Sequence, residues 1–360
     1  MHTRPGTFDR KPPVPTFVVG GSSLTPLSSC HRENTQALTR SMPFHKQEQL
    51  TIGPFVLESH GALSSEDLAR ILKGFNLLPK YEKFFDDPSI GLYSCLAPLR
   101  EQIRNVPGTD LGLYVNLGPA NAKLDDFQRW GAENPEHGVE AYSTLMASSV
   151  VKLLPNVVMS NLSIHLDILG ENTTTAGTSA GSAWCIRSAR RLLREAGQTA
   201  VFVATASFPY AYFNLDSFRR FFADSFFDPP LIEGSAAITL THASGVSRFP
   251  AGVLGSLHRS HTFRLNPEAS LQEELDRLGF GDAARNHLLI QPSPSGNFLA
   301  AGEPLGILTV LEALNETGKG GTGISVTQDP FGWVSIVEVE GSDAARETLG
   351  RNLHNGHCGP

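Results

Sequence analysis

Apolar positions fall in short runs along the chain, broken by Gly, Pro, Ser and Asn, and helical patterns lie between the runs. The first run, Thr16-Phe17-Val18-Val19-Gly20-Gly21, reads as a strand stopped by its glycines, followed by a Ser/Thr/Pro turn. Leu111 to Gly118, Ala200 to Thr205, Ala236 to Leu240 and a segment opening at Leu288-Leu289-Ile290 read as buried strands. Near the end, Ile324-Ser325-Val326-Thr327 and Trp333 to Val339 flank Asp329-Pro330-Phe331-Gly332, which predicts a hairpin. Helical spacing covers Ser64–Phe75, Ala183–Ala196, Leu271–Leu278 and Leu305–Leu314. Strands alternating with helices predict an α/β fold. Residues 1–13 and 349–360 read as loose tails, and the stretch between them holds no long linker or low-complexity block.

The 360 residues are 40% hydrophobic, enough for a substantial core. A net charge of −7 argues against a global nucleic-acid footprint. No apolar run approaches the roughly 18 residues of a membrane helix. The first residues carry charge without the apolar stretch of a secretory signal, so a cytoplasmic location is expected. Cys30, Cys95, Cys185 and Cys358 share no metal or redox spacing, and neither a cofactor nor a metal is expected. His354-Asn355-Gly356-His357-Cys358 reads as a frayed end rather than a metal site. Lys319-Gly320-Gly321-Thr322-Gly323 lacks the full phosphate-loop pattern and reads as the turn before the hairpin.

The chemistry concentrates between Leu154 and Ala183. A strand-like run, which includes Ile164-His165-Leu166, leads to a Gly/Thr/Ser turn, and a helix follows at once and ends at Gly197. A small residue at such a turn lies over a helix N-terminus, where free amides and the dipole favour developing negative charge. Gly177-Thr178-Ser179-Ala180-Gly181 also spells the G-x-S-x-G elbow of α/β-hydrolases. Acid and base candidates after it are Asp216, Asp224 or Asp228, then His242, His258 or His261. The feeding segment Asn172-Thr173-Thr174-Thr175 is too polar for the buried strand of such a hydrolase. Cys185 reads as a core residue. Arg187, Arg190, Arg191 and Arg194 read as a solvated helix face that could meet an acidic partner.

In several places, in order, the chain resembles the β-ketoacyl synthases of the thiolase-fold superfamily. Gly20 to Leu27 is similar to their opening strand and turn. Leu154-Pro155-Asn156, Ser163-Ile164 and Leu169-Gly170-Glu171-Asn172 precede Thr175 to Ala180, where the family's nucleophilic cysteine falls on Ser179. Ile232-Glu233-Gly234, Leu299-Ala300-Ala301-Gly302 and Phe331-Gly332 match later landmarks. The resemblance covers about residues 16–340. It implies a thiolase-like α/β fold of two pseudo-repeated halves, 14–215 and 216–348, in α-β-α-β-α layers. It also places Gly177, Thr178, Phe331 and Gly332 around the turn and oxyanion region.

The departures are chemical. The late strand runs into Gln291-Pro292-Ser293-Pro294-Ser295-Gly296-Asn297, and no histidine lies between His287 and His354. Asn297 or Gly296 occupies the place of the family's second histidine. A serine is far less acidic than a cysteine, and a helix dipole contributes only about 1 kcal/mol, so Ser179 without a base is a poor nucleophile. The pattern resembles chain-length factors, or ketosynthase-β subunits, although serine departs from the glutamine such subunits often carry. This implies a catalytically silent subunit paired with an active ketosynthase and served by an acyl carrier protein. It implies a dimer strand at Asn172, Thr173, Thr174 and Thr175, and a tunnel floor near Asn121, Ala122 and Leu124. A thiolase-fold acyltransferase that uses Ser179 as acyl acceptor, with a base recruited from His165, His242 or a partner chain, is the alternative.

Overall fold

The computed structural model describes residues 15–347, except 43–47, 53–54, 60, 76, 78–81, 83–84, 104, 119–153, 209–230, 251, 267–268, 292–296, 319–320 and 330. The proposed tunnel floor, the break near residue 216, the tails, and Asp216, Asp224, Asp228 and Gly296 lie outside the described residues.

Among the described residues the main sheet has nine strands. In chain order they are β1 (Thr16–Leu24), β4 (Leu111–Leu117), β5 (Asn172–Ala176), β6 (Ala200–Ser207), β7 (Gly234–Thr241), β8 (Gly255–Arg264), β9 (Leu288–Gln291), β10 (Thr322–Gln328) and β11 (Trp333–Gly341). Their order across the sheet is β5-β4-β6-β7-β1-β8-β11-β10-β9. β2 (Glu48–Ile52) and β3 (Phe55–Ser59) form a separate hairpin. Each end of the sheet is parallel, with β5, β4 and β6 at one and β9 and β10 at the other. The middle is antiparallel.

Two crossover helices define the layers. Helix α5 (Ser179–Glu195) joins β5 to β6, and α8 (Gly302–Thr317) follows β9 and leads to β10. Every residue of α8 from Gly302 to Leu311 is buried, as expected of a helix enclosed by sheet on more than one side. Leu308 and Leu311 share a core with Ile186, Ala189 and Leu193 of α5, and with Val201, Ile238 and Val339 from across the sheet. On the outer side of the β4–β6 end pack α3 (Asp87–Glu101) and α4 (Pro155–His165). Two short helices, α6 (Leu271–Arg277) and α7 (Gly281–Asn286), cover β10 and β11. The expected mixed α/β architecture is present, with helices packed against a large sheet. Helices α1 (His31–Thr39) and α2 (Ser65–Gly74) complete the described set.

Several elements differ from the sequence reading. β1 does not stop at its glycines but runs on to Leu24. A Cβ at Gly20 would lie 2.9 Å from Leu99 of α3, and one at Gly21 would lie 2.1 Å from Leu308 of α8. The glycines therefore admit helices on both faces of the strand. His165 is not on a strand face: it is the last residue of α4. Pro155 opens that helix, and Asp167 at φ 50 helps end it. Strand β8, GSLHRSHTFR, was not expected, because its polar residues hide the pattern. They are matched from β11: His258 contacts Glu340 at 2.9 Å, and Arg259 contacts Glu338 at 2.6 Å.

Candidate active site

Two helix N-termini meet at the carboxyl ends of the parallel strands. Ser182, in the first turn of α5, donates its hydroxyl proton to the carbonyl of Ala300, just before α8, at 2.6 Å. Asn116, buried near the end of β4, organises the turn. Its amide donates to the Thr178 carbonyl (3.0 Å) and to Ser182 Oγ (2.7 Å), and its carbonyl oxygen accepts from Thr175 Oγ1 (2.8 Å). A Cβ on Gly181 would lie 2.5 Å from that same oxygen, so glycine is what lets the helix start this close to β4.

Ser179 is the first residue of α5 and is 3% exposed. Its Oγ has no hydrogen-bond partner among the described residues. Thr178 is the N-cap residue, yet its hydroxyl does not cap the helix. It donates instead to Asp329 Oδ2 at 2.7 Å, while Oδ1 of that carboxylate accepts the N–H groups of Phe331 and Trp333, each at 2.9 Å. Through Asp329 the structure brings Thr178, Phe331 and Gly332 to one corner, and Gly177 sits beside them with its N–H bonded to the Leu117 carbonyl at 2.8 Å. Gly332 takes φ 80, which suits a glycine. Asn297 serves the chain's own backbone. Its Oδ1 accepts the Leu299 N–H at 3.0 Å, and its carbonyl accepts the Ile232 N–H at 2.9 Å.

Deeper in this corner lies Glu303, in the first turn of α8 and fully buried. It accepts hydroxyl protons from Thr327 and from Ser335, the latter at 2.8 Å. Burial pushes its carboxyl up to about 7, against the two hydroxyls and Arg187, which favour ionisation. Gln291, at the end of β9, is 3% exposed, and among the described residues neither its side-chain polar atoms nor the Ser325 hydroxyl has a hydrogen-bond partner. Asn116, Asp329, Glu303 and Gln291 were not singled out from sequence. The available signals were an asparagine ending an apolar strand and a glutamate set beside an apolar helix.

No described histidine serves Ser179. His258 holds Glu340, and His242 Nδ1 lies 2.7 Å from Ser244 Oγ. Both histidines, with His261, line a cavity beside Arg190 and Arg194. Arg190 is about three turns from Ser179 along α5, or about 16 Å at 1.5 Å per residue. The hydrolase alternative fails on this spacing and on topology. β5, which feeds the Gly177–Gly181 turn, is a half-exposed end strand rather than a buried central one.

Cys185 is no substitute nucleophile. It is fully buried, burial pushes its thiol up to about 12, and only the Thr175 hydroxyl opposes the shift. Cys95 is likewise raised to about 12. At pH 8 each is thiolate in only about one molecule in ten thousand. Alkylation with iodoacetamide followed by peptide mapping should therefore modify exposed Cys30 and leave Cys95 and Cys185 intact until the protein is denatured. Rapid native labelling of Cys185 would contradict this packing.

No protein-family model matches the chain, and no curated protein matches it by sequence. Solved structures do. The chain is similar to the ishigamide ketosynthase/chain length factor, with 17% identity and a TM-score of 0.70 over 90% of this chain and 99% of that one. It is similar to a chain of AntDE:AntF, a type II polyketide synthase acyl carrier protein in complex with its ketosynthase bound to the hexaketide. There the identity is 11% and the TM-score 0.68, over 91% of this chain and 99% of that one. The ketosynthase from module 6 of the bacillaene synthase of Bacillus subtilis 168 matches with 11% identity and a TM-score of 0.63, covering 91% of this chain and 72% of that one. The fold is the thiolase-like fold of ketosynthases. Among the described residues, no helix is long and apolar enough to cross a membrane.

Proposed function

We propose that this chain is a non-condensing, chain-length-factor-like subunit that pairs with an active ketosynthase and helps shape the tunnel for an acyl chain delivered by a carrier protein. The observation that carries this reading is Ser179. It stands at the head of the crossover helix in a ketosynthase fold, buried, and no described histidine contacts it. Decarboxylative condensation needs a thiolate to hold the acyl group and donors to stabilise an enolate. The described corner offers instead an un-ionised hydroxyl and an Asn116–Ser182–Ala300 lattice that fixes the two helices to one another. That lattice preserves shape without supplying a base. The neighbouring solved structures, one of a ketosynthase/chain length factor and one of a ketosynthase with its carrier protein, support the partner classes.

One feature favours the second reading, Ser179 as a slow acyl acceptor: its hydroxyl is unpartnered at a helix N-terminus. Intact-protein mass spectrometry after incubation with acyl-CoA and acyl-carrier protein separates the two. With an active ketosynthase present, no mass gain is expected on this chain, and wild type and Ser179→Ala should be indistinguishable. An acyl adduct that disappears in Ser179→Ala would replace the silent-subunit reading with the acyltransferase one.

A further inference from the structure

A second site lies at the far end of α5. A cavity of about 470 Å³ opens between the last turns of this helix and the outer half of β8. Its size is within the range of small-molecule sites. Arg187, Arg190, Arg191, Arg194 and Arg259 line it. Arg259 is held by Glu338, while Arg191 and Arg194 share the single carboxylate of Glu195. Arg187 and Arg190 have no ion pair among the described residues. Glu340 contacts His258 of the same wall at 2.9 Å.

Arg190 is the most informative of the group. Its Nη2 donates to the carbonyls of Leu257 (3.3 Å) and His258 (2.8 Å), which fixes the guanidinium and leaves its other N–H groups for a further acceptor. Burial, and then Arg194, push its pKa down. His261 is pushed down by burial and by the charges of Arg277 and Arg187, against Glu274. Burial is the larger cause of both shifts, and the neighbouring arginines add to it. A half-buried guanidinium without a carboxylate is costly unless an anion completes it.

We infer that this cavity binds a dianionic phosphate group, held between Arg187 and the fixed guanidinium of Arg190. Two uncompensated cations match a dianion better than a single carboxylate, and guanidinium forks match phosphate oxygens. Leu193, Leu278 and Phe280 supply apolar wall for an organic group attached to the phosphate. The site is separate from Ser179 and does not rest on the subunit reading.

The test is isothermal titration calorimetry of the full chain with inorganic phosphate and with phenyl phosphate, each at an ionic strength matched by sodium chloride. Saturable one-to-one binding is expected, weakened about tenfold or more in Arg187→Gln, which removes an exposed side chain. Arg190→Gln should weaken it further, with circular dichroism reporting whether β8 keeps its place. Tighter binding of phenyl phosphate supports a phosphate ester as ligand, and equal binding supports free phosphate. Absence of saturable heat with both probes, or unchanged affinity in Arg187→Gln, overturns the proposal.

Discussion

Ile164→Lys should leave the monomer folded and weaken its pairing with an active ketosynthase by about thirtyfold or more, the effect of losing a central apolar anchor. The argument starts at β5, which among the described residues ends the sheet and pairs only with β4. Its sequence, NTTTA, has no charge and no proline, so it lacks the usual protection of an open edge. Beside it, α4 is tied on by the bond from Asn172 Nδ2 to Ser163 Oγ at 2.7 Å. Here the surface is apolar: Ile164 is 65% exposed and Leu169 54%. An unprotected strand beside exposed aliphatic side chains is a surface suited to a second chain of the same fold. Thr174→Lys should act in the same direction through the strand itself, since the Thr174 hydroxyl is buried and has no partner among the described residues. Surface plasmon resonance against the immobilised ketosynthase measures both. If neither substitution changes the dissociation constant, the interface lies elsewhere.

The fold was legible wherever burial left a continuous apolar run. Leu111–Leu117 and Ala200–Ser207 are buried throughout and read as strands at once. β8 was illegible because Arg259 and His258 find their partners, Glu338 and Glu340, seventy-nine and eighty-two residues later. Local patterning cannot carry such pairings. α4 was misread because Val157-Val158 and Ile164-His165-Leu166 carry β-branched and alternating positions, whereas packing on β4 and β5 favours the helix. The same division holds in the site. Ser179 was legible as a small residue before an amphipathic helix. Asp329 read only as a turn former, yet its carboxylate reaches 151 residues back to Thr178. Glu303 fell before the predicted helix and proved to be a fully buried acid.

That acid should make stability depend on pH. Its folded-state pKa is about 7 against an ordinary 4.5, because burial disfavours the carboxylate. In the folded protein it therefore keeps a proton that the unfolded chain has already released. The stabilisation from this bound proton is full below pH 4.5 and is lost as pH rises through 7. At 1.36 kcal/mol per pKa unit the loss is about 3 kcal/mol. Glu303→Gln keeps the size and the hydrogen-bonding capacity without the charge. Urea unfolding from pH 5 to pH 8 should show wild-type stability falling relative to the variant by about that amount. Parallel curves for the two chains would place the titration elsewhere. The consequence reaches the site, because Glu303 holds Thr327 of β10, two residues before Asp329, which holds Thr178. Ionising Glu303 leaves a charge buried beside the strand that clamps the head of α5, and local opening that admits water would relieve that cost, even though the carboxylate holds the Thr327 hydroxyl more strongly. Hydrogen exchange at Phe331 and Trp333, whose amides bond Asp329, should therefore quicken above pH 7 in wild type beyond its intrinsic rise, and not in Glu303→Gln.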